Sequence, residues 1–468
     1  MDFKLYESLL TFIWPLRLSV RTRDSQSLKR GSIPLGANLI YFLKKLRELI
    51  LLEEDMKKSL NLSGIIVFAA VLVFTISCSM SNDDPPTHVG WKKSGVPDYT
   101  WYGDGTGPFS IGTPEALLGF ANIVNGTAGS LEDKFVGEII TLTANLNLGN
   151  FKWTPIGTED GGWSSFNGTF DGSNKEIKGL YVSTYVDNAG LFGIVGGDGE
   201  VKNLKVKGII DDGYDAGGVA GFNEGSIINC SFDGSVTGYG AVGGVVGYNS
   251  DFGTVSKSYN SGIVTGDNAG GIVGENWGLV SESYNTGTVS GEGSVGGVVG
   301  HNENKVINCY NTGSVSGQGY VGGVIGHNLG EVSYCYNTAR VSGDYGVGGI
   351  AGYNDDLVEN CVSLGPTVTG GIGKDANGRV IGDNDGDLNA NKARSDMKIG
   401  PSGSLVIVTD GESDDNNGED VKLNDNLSEI FENWDSDIWN IPNGKLSVNC
   451  LLPTLEETGG KQNPRLLK

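Results

Sequence analysis

Histidine is nearly missing from this chain, with only His88, His301 and His327 among 468 residues. No His-Glu-x-x-His occurs, so zinc chemistry of that type is excluded. The six cysteines are scattered, which fits neither a small disulfide scaffold nor a Cys-spaced zinc site. Proline is held to 13, and the 76 glycines do not recur every third residue, which rules out collagen. Basic residues number 33 against 56 acidic, for a net charge of -23, so no nucleic-acid partner is expected. What is present is a core-forming share of apolar residues, 38%, including 17 Tyr, 16 Phe and 8 Trp.

An export signal is legible inside the chain. Met56 opens a basic stretch (Lys57, Lys58), an apolar run extends from Leu62 to Ile76, and Ser77-Cys78 follows. That run is short of the ~20 residues a membrane-spanning helix needs. Thr75-Ile76-Ser77-Cys78 resembles a bacterial lipobox, with Thr75 where leucine is commonest. Ser81-Asn82-Asp83-Asp84 resembles the acidic tether of lipoproteins sent to the outer surface in Bacteroidetes-like bacteria. The expectation is lipidation at Cys78 and a lipid-anchored protein of the outer membrane and cell surface. Residues 1–55 carry nine basic and seven acidic residues and two glycines, a composition foreign to the rest. They read as an over-extended start or a cytoplasmic tail. Residues 56–77 read as the signal, 78–110 as a tether, and 111–163 as an N-terminal cap with first strands. Within that cap, Thr113-Pro114-Glu115 has the form of a helix start.

From 164 to 395 the chain repeats. The last glycine of a Gly-Gly-aliphatic-aliphatic-Gly element falls at Gly221, Gly247, Gly274, Gly300, Gly326 and Gly352, at intervals of 26, 27, 26, 26 and 26. No copy has room for a helix with its turns, and propeller blades are longer. The expected fold is all-β: a right-handed parallel β-helix of ~26-residue coils stacked at ~4.8 Å, with a short helical N-terminal cap and a closing segment over 396–468. Stacking demands that residues one period apart meet. Two places past each anchor stand Asn223, Asn249, Asn276, Asn302, Asn328, Asn354 and Asn384, read as an interior amide ladder. Two places before it stand Val219, Val245, Ile272, Val298, Val324 and Ile350, and Val289, Val315 and Val341 form a second aliphatic column.

Cys230, Cys309, Cys335 and Cys361 share one phase, nine residues past their anchors, with Ser283 filling that place in one coil. Adjacent coils bring such cysteines within the Cα range of a disulfide. The preferred reading is small buried thiols interchangeable with serine. Cys450 reads as a buried thiol of the end structure.

These repeats carry a resemblance. Residues 270–291 and 296–317 resemble GLUG-motif repeats, which occur in bacterial surface proteins including IgA-specific metalloendopeptidases. Residues 153–183 resemble what precedes such repeats, and 378–397 a closing copy. The resemblance implies a surface scaffold. It does not bring peptidase activity, because the zinc motif is missing.

Candidate sites are few. His301 and His327, with Glu275 one coil away, read either as a zinc set or as a variable column that also holds Phe222, Tyr248 and Tyr353. Asp211, Asp212 and Asp215 read as solubilising turn residues. Asp383-Asn384-Asp385-Gly386-Asp387 has calcium-like spacing, with Asp375 and Asn377 nearby, but lacks the closing glutamate. No catalytic, cofactor or metal residue is assigned, and no cofactor. The expected function is a non-catalytic surface scaffold whose flanks present Tyr, Asn and Asp to an extracellular glycan or protein, with the membrane reached through Cys78. The alternatives are a β-helical polysaccharide-degrading enzyme and a structural spacer.

Overall fold

The computed structural model describes residues 88–90 and 95–466, apart from 160–163, 184–186, 371–376, 402, 409–410, 413, 448–449 and 456–463. The chain divides into two units, Met1–Pro85 and Pro86–Lys468, and the described residues lie in the second. Cys78 and the expected export signal lie outside them.

The repeat is a parallel β-solenoid. Each coil carries more strand pieces than the two or three that the sequence suggests. One coil comprises Val299–Asn302, Lys305–Ile307, Tyr310–Asn311, Val315–Gly317 and Val321–Gly322, five short strands in all. Each pairs in parallel with its equivalent in the next coil, as in Val299↔Ile325, Val306↔Val332, Tyr310↔Tyr336 and Val315↔Val341. Alternate residues point inward, so Val219, Val245, Ile272, Val298, Val324 and Ile350 are fully buried in one continuous core.

Two local devices turn the chain. The first is the glycine column. A Cβ at Gly300 would lie 2.7 Å from Gly274 O and 2.9 Å from Ala269 N, so two backbones approach where no side chain fits. The second is a left-handed corner at Asn203, Asn229, Lys257, Glu282, Asn308, Tyr334, Asn360 and Ala390, with φ between 47 and 56°. Asparagine dominates there because it tolerates this region better than other residues carrying a Cβ.

The ends are closed differently. At the N-terminal end a helix α1, Pro114–Val124, starts where Thr113 accepts a hydrogen bond from Ala116 N at 3.2 Å. Its Phe120 packs with Phe135, Phe166 and Phe170. Residues 95–110, expected within the tether, instead join this fold. Trp101 stacks on Phe135, and Phe109–Ile111 pairs with Ile139–Leu142. Their aromatic side chains have a core to bury against, which a solvated tether would waste.

At the other end, Glu419–Val421 pairs with Lys392–Arg394, and the fully buried Arg379 meets Asp420 at 2.6 Å. The segment beyond does more than close the last coil. It runs back along the solenoid as a strap over Tyr310 and Tyr336.

Candidate functional site

Some in-phase columns are used up inside the fold, and one that carries aromatic and ionisable side chains is half-open. In the Asn223–Asn384 column each side-chain amide donates to the Oδ1 of the next: 2.7 Å from Asn223 to Asn249, 2.8 Å from Asn276 to Asn302, 2.8 Å from Asn354 to Asn384. A second hydrogen goes to a turn carbonyl of the same coil, as from Asn276 to Gly278 O at 3.0 Å. A second ladder, Asn260, Asn285, Asn311 and Asn337, repeats the pattern at 2.9–3.0 Å. These amides are fully buried, apart from the half-buried Asn384, and so do not face a ligand.

Cys309, Cys335 and Cys361 are free buried thiols, as is Cys230. Ser258 and Ser283 occupy the same column. Cys230 N donates to Ser258 Oγ at 3.1 Å, and Cys309 N donates to Cys335 Sγ at 3.4 Å. Burial pushes the Cys230 thiol up to about 12, so it stays protonated, donates to Ile228 O at 3.4 Å and is not a nucleophile. Cys450 is half-buried and also free.

Tyr259, Tyr284, Tyr310 and Tyr336 stack face to face at 4.8–5.1 Å. The expectation that such tyrosines face a ligand fails here. Tyr284, Tyr310 and Tyr336 are buried under the strap, and Tyr336 donates its hydroxyl to Pro453 O at 2.7 Å.

The half-open column is Phe222, Tyr248, Glu275, His301, His327 and Tyr353, carried on successive strands of one eight-stranded sheet. Its backbone pairing is as regular as that of the ladders, but its side chains remain partly exposed. Phe222 and Tyr248 stack at 5.3 Å, nearly parallel. His301 meets His327 edge to face at 4.8 Å and Glu303 Oε1 at 2.9 Å. Tyr320 and Tyr353 flank His327, whose pKa is lowered by burial and by His301. Glu275 accepts from Asn268 Nδ2 at 2.6 Å and so is engaged within the stripe.

Carboxylates gather at one end of the stripe. Asp215, expected in a solvated turn, lies half-buried in the strand Asp215–Gly217. Asp211 lies in the strand Glu200–Gly213. Burial pushes the Asp215 carboxyl up to about 7, against a hydrogen bond from Ala241 N and with help from Glu275, Glu159 and Asp187. Burial and the carboxylates of Glu275, Asp251, Asp215 and Glu303 push the Tyr248 hydroxyl up to about 12.

Among the described residues, no three His, Cys, Asp or Glu side chains are arranged to hold a metal. His301 and His327 therefore stack without forming a zinc set with Glu275. In the calcium-like stretch, Asn384 is taken by the ladder and Asp385 accepts from Tyr353 OH at 2.8 Å. Asp375 lies outside the described residues. A hollow of about 110 Å³, lined by Asn360, Lys392, Glu419 and Trp434 among others, sits under the strap and away from the stripe. Among the described residues, no helix is long and apolar enough to cross a membrane.

Comparison with known proteins places the repeat. The GLUG motif matches at residues 212–237, 291–316, 317–342 and 343–369. A protein of Evansella cellulosilytica, provisionally described as a Gly-rich membrane protein, is 40% identical over 146 residues. That match takes in 29% of this chain and 17% of the relative, so the chain spans only about a sixth of the relative's length. A crystal structure of a provisionally assigned immunoglobulin A1 protease from Bacteroides ovatus is similar with a TM-score of 0.41 and 17% identity, over 80% of this chain and 99% of that one. The chain is thus a parallel β-solenoid, four stretches of which match the GLUG motif.

Proposed function

We infer that the chain is a non-catalytic scaffold at the bacterial cell surface, serving adhesion or extracellular binding through the Phe222–Tyr353 stripe. The observation that carries this reading is the contrast between columns. Asparagine, thiol and tyrosine columns are consumed by hydrogen bonds and packing, while one equally regular column keeps aromatic, imidazole and carboxylate side chains partly at the surface. A repeated face offers weak contacts every ~4.8 Å and suits an extended ligand. Lipid attachment at Cys78 would hold the scaffold on the outer membrane, and the description of the Evansella relative as a membrane protein agrees with membrane attachment in general.

An array of glycans and matrix proteins, probed with residues 78–468, tests the reading. Binding is expected in the high-micromolar range per site and should strengthen when many copies are displayed. No turnover of gelatin, immunoglobulin or common polysaccharides is expected, with or without calcium or zinc. Cys78→Ser should release the protein from the membrane fraction. Retention of that variant would overturn the anchor.

One observation favours a second reading, a polysaccharide-degrading enzyme. Asp215 combines half-burial with a carboxyl pushed up to about 7, the range in which a general acid works. Release of reducing ends, abolished by Asp215→Asn, would establish it in place of the scaffold.

A further inference from the structure

One coil breaks the repeat at a corner beside the stripe. Elsewhere two residues separate the ladder asparagine from the next strand, as in Asn223 to Ser226 and Asn276 to Leu279. Between Asn249 and Thr254 there are four, Ser250-Asp251-Phe252-Gly253. The insertion places Phe252 at 86% exposure, the most exposed large apolar side chain among the described residues. Gly253 stacks beneath Gly278, so Phe252 and the exposed Trp277 each stand just before the stacked glycine of successive coils, with Trp277 itself in register with Ser250. Neither ring is in the buried core. A repetitive fold has no packing reason to lengthen one corner and expose a phenylalanine, whereas a binding surface does.

A carboxylate adjoins each ring: Asp251 precedes Phe252, and Glu303 follows its ladder asparagine one coil on from Trp277, with Glu303 N bonded to Asn276 O as Trp277 N is to Asn249 O. The charged groups acting on the Tyr248 hydroxyl are the carboxylates of Glu275, Asp251, Asp215 and Glu303. The nearby Lys305 is engaged by Glu331 at 2.7 Å. Phe222 and Tyr248 turn their faces toward each other, with only 4° between their planes, and so offer edges where a sugar ring would want a face. Exposed rings bordered by carboxylates suit guanidinium and ammonium groups, through cation–π contact and charge pairing.

We propose that the Phe252–Trp277 corner, with the carboxylates beside it, is a docking surface for an extended arginine- or lysine-rich segment of another protein. This names the partner class of the scaffold reading and rests on it. A net charge of -23 would attract any polycation diffusely, so the rings must be what the experiment reads.

Fluorescently labelled octa-arginine is titrated into the full chain, with octa-glutamate and cellohexaose as comparison probes. Octa-arginine should bind, and Phe252→Ser combined with Trp277→Ser should weaken it ~10-fold or more, from the loss of two cation–π contacts. Glu275→Gln should weaken it further. Tyr345→Ser, which alters an exposed ring on another corner, should leave it unchanged. Circular dichroism of each variant confirms that the coils persist. Octa-arginine affinity indifferent to the two ring substitutions would overturn the proposal, since the attraction would then be diffuse. Cellohexaose binding that the same substitutions abolish would overturn it in favour of a glycan and leave the scaffold reading intact. Reducing-end release from polysaccharide would overturn both.

Discussion

Each asparagine of the long ladder spends one amide hydrogen on the next coil and one on its own turn, so it fixes axial register and corner geometry together. Asn302→Ala removes the acceptor of Asn276 Nδ2 and leaves Asn328 Oδ1 without the amide that donates to it, among fully buried side chains. The expected cost is about 1–3 kcal/mol in urea unfolding. Asn304→Ala, which removes an exposed bond to Trp277 O, should cost much less. Equal effects would show that the ladder is not a buried network. Asp215 makes a pH prediction. Its folded pKa of about 7 lies above the ordinary 3.8, so the fold favours the protonated form. That contribution is full below the unfolded value and is lost as pH rises through 7. Asp215→Asn should therefore stabilise the protein at pH 8 by about 1–3 kcal/mol, after allowance for solvent screening, with the gain shrinking toward pH 4. Urea midpoints at pH 4, 6 and 8 that show a constant difference would contradict this.

At the scale of elements, the strap and the tyrosine stack form one unit. Trp439, 1% exposed, packs on Tyr310 and Tyr336 and donates from Nε1 to Asn308 Oδ1 at 3.0 Å. Trp434 donates in the same way to Asn360 O at 3.1 Å. Both acceptors belong to left-handed corner residues, so the strap bonds where the coil backbone turns away from its own ladder. Trp439→Ala should cost about 3–5 kcal/mol of strap docking. Hydrogen exchange should then show the strap opening before the coils, with Tyr310 and Tyr336 newly accessible. Coils and strap melting together would mean that the strap is integral to the solenoid. The tyrosine column recurs in the sequence as the pairs Tyr259-Asn260, Tyr284-Asn285, Tyr310-Asn311 and Tyr336-Asn337, but period alone does not say whether solvent or a neighbour covers a face.

For the whole solenoid, each coil contacts chiefly the coils before and after it, so whole periods are interchangeable. Deleting Val246–Ile272 joins Val245 to Val273, the residue paired with Val246 one coil on. The shortened protein should remain folded, with a similar β-type circular dichroism spectrum per residue. Deleting only Val246–Ser258 places inward residues opposite outward ones and should abolish folding. A folded half-period deletion would show that register is not set by stacking.

The sequence by itself determined the coil length, the parallel stacking, the aliphatic spine and the first asparagine ladder, because in a solenoid spatial neighbours are residues one period apart and their chemistry must match. The thiol column was readable for the same reason, although Ser258 and the whole second asparagine ladder escaped. Phe252's insertion moves Ser258 and Asn260 two places out of phase with the anchor glycine. Only the tertiary structure decided that the strap covers the tyrosines, through hydrogen bonds spanning 117 and 131 residues that have no counterpart in any period. It also decided that Asp215 is half-buried and that Phe252 and Trp277 stand exposed together. Burial at those places depends on which aperiodic segment comes to rest against which coil, and no spacing within the repeat records that.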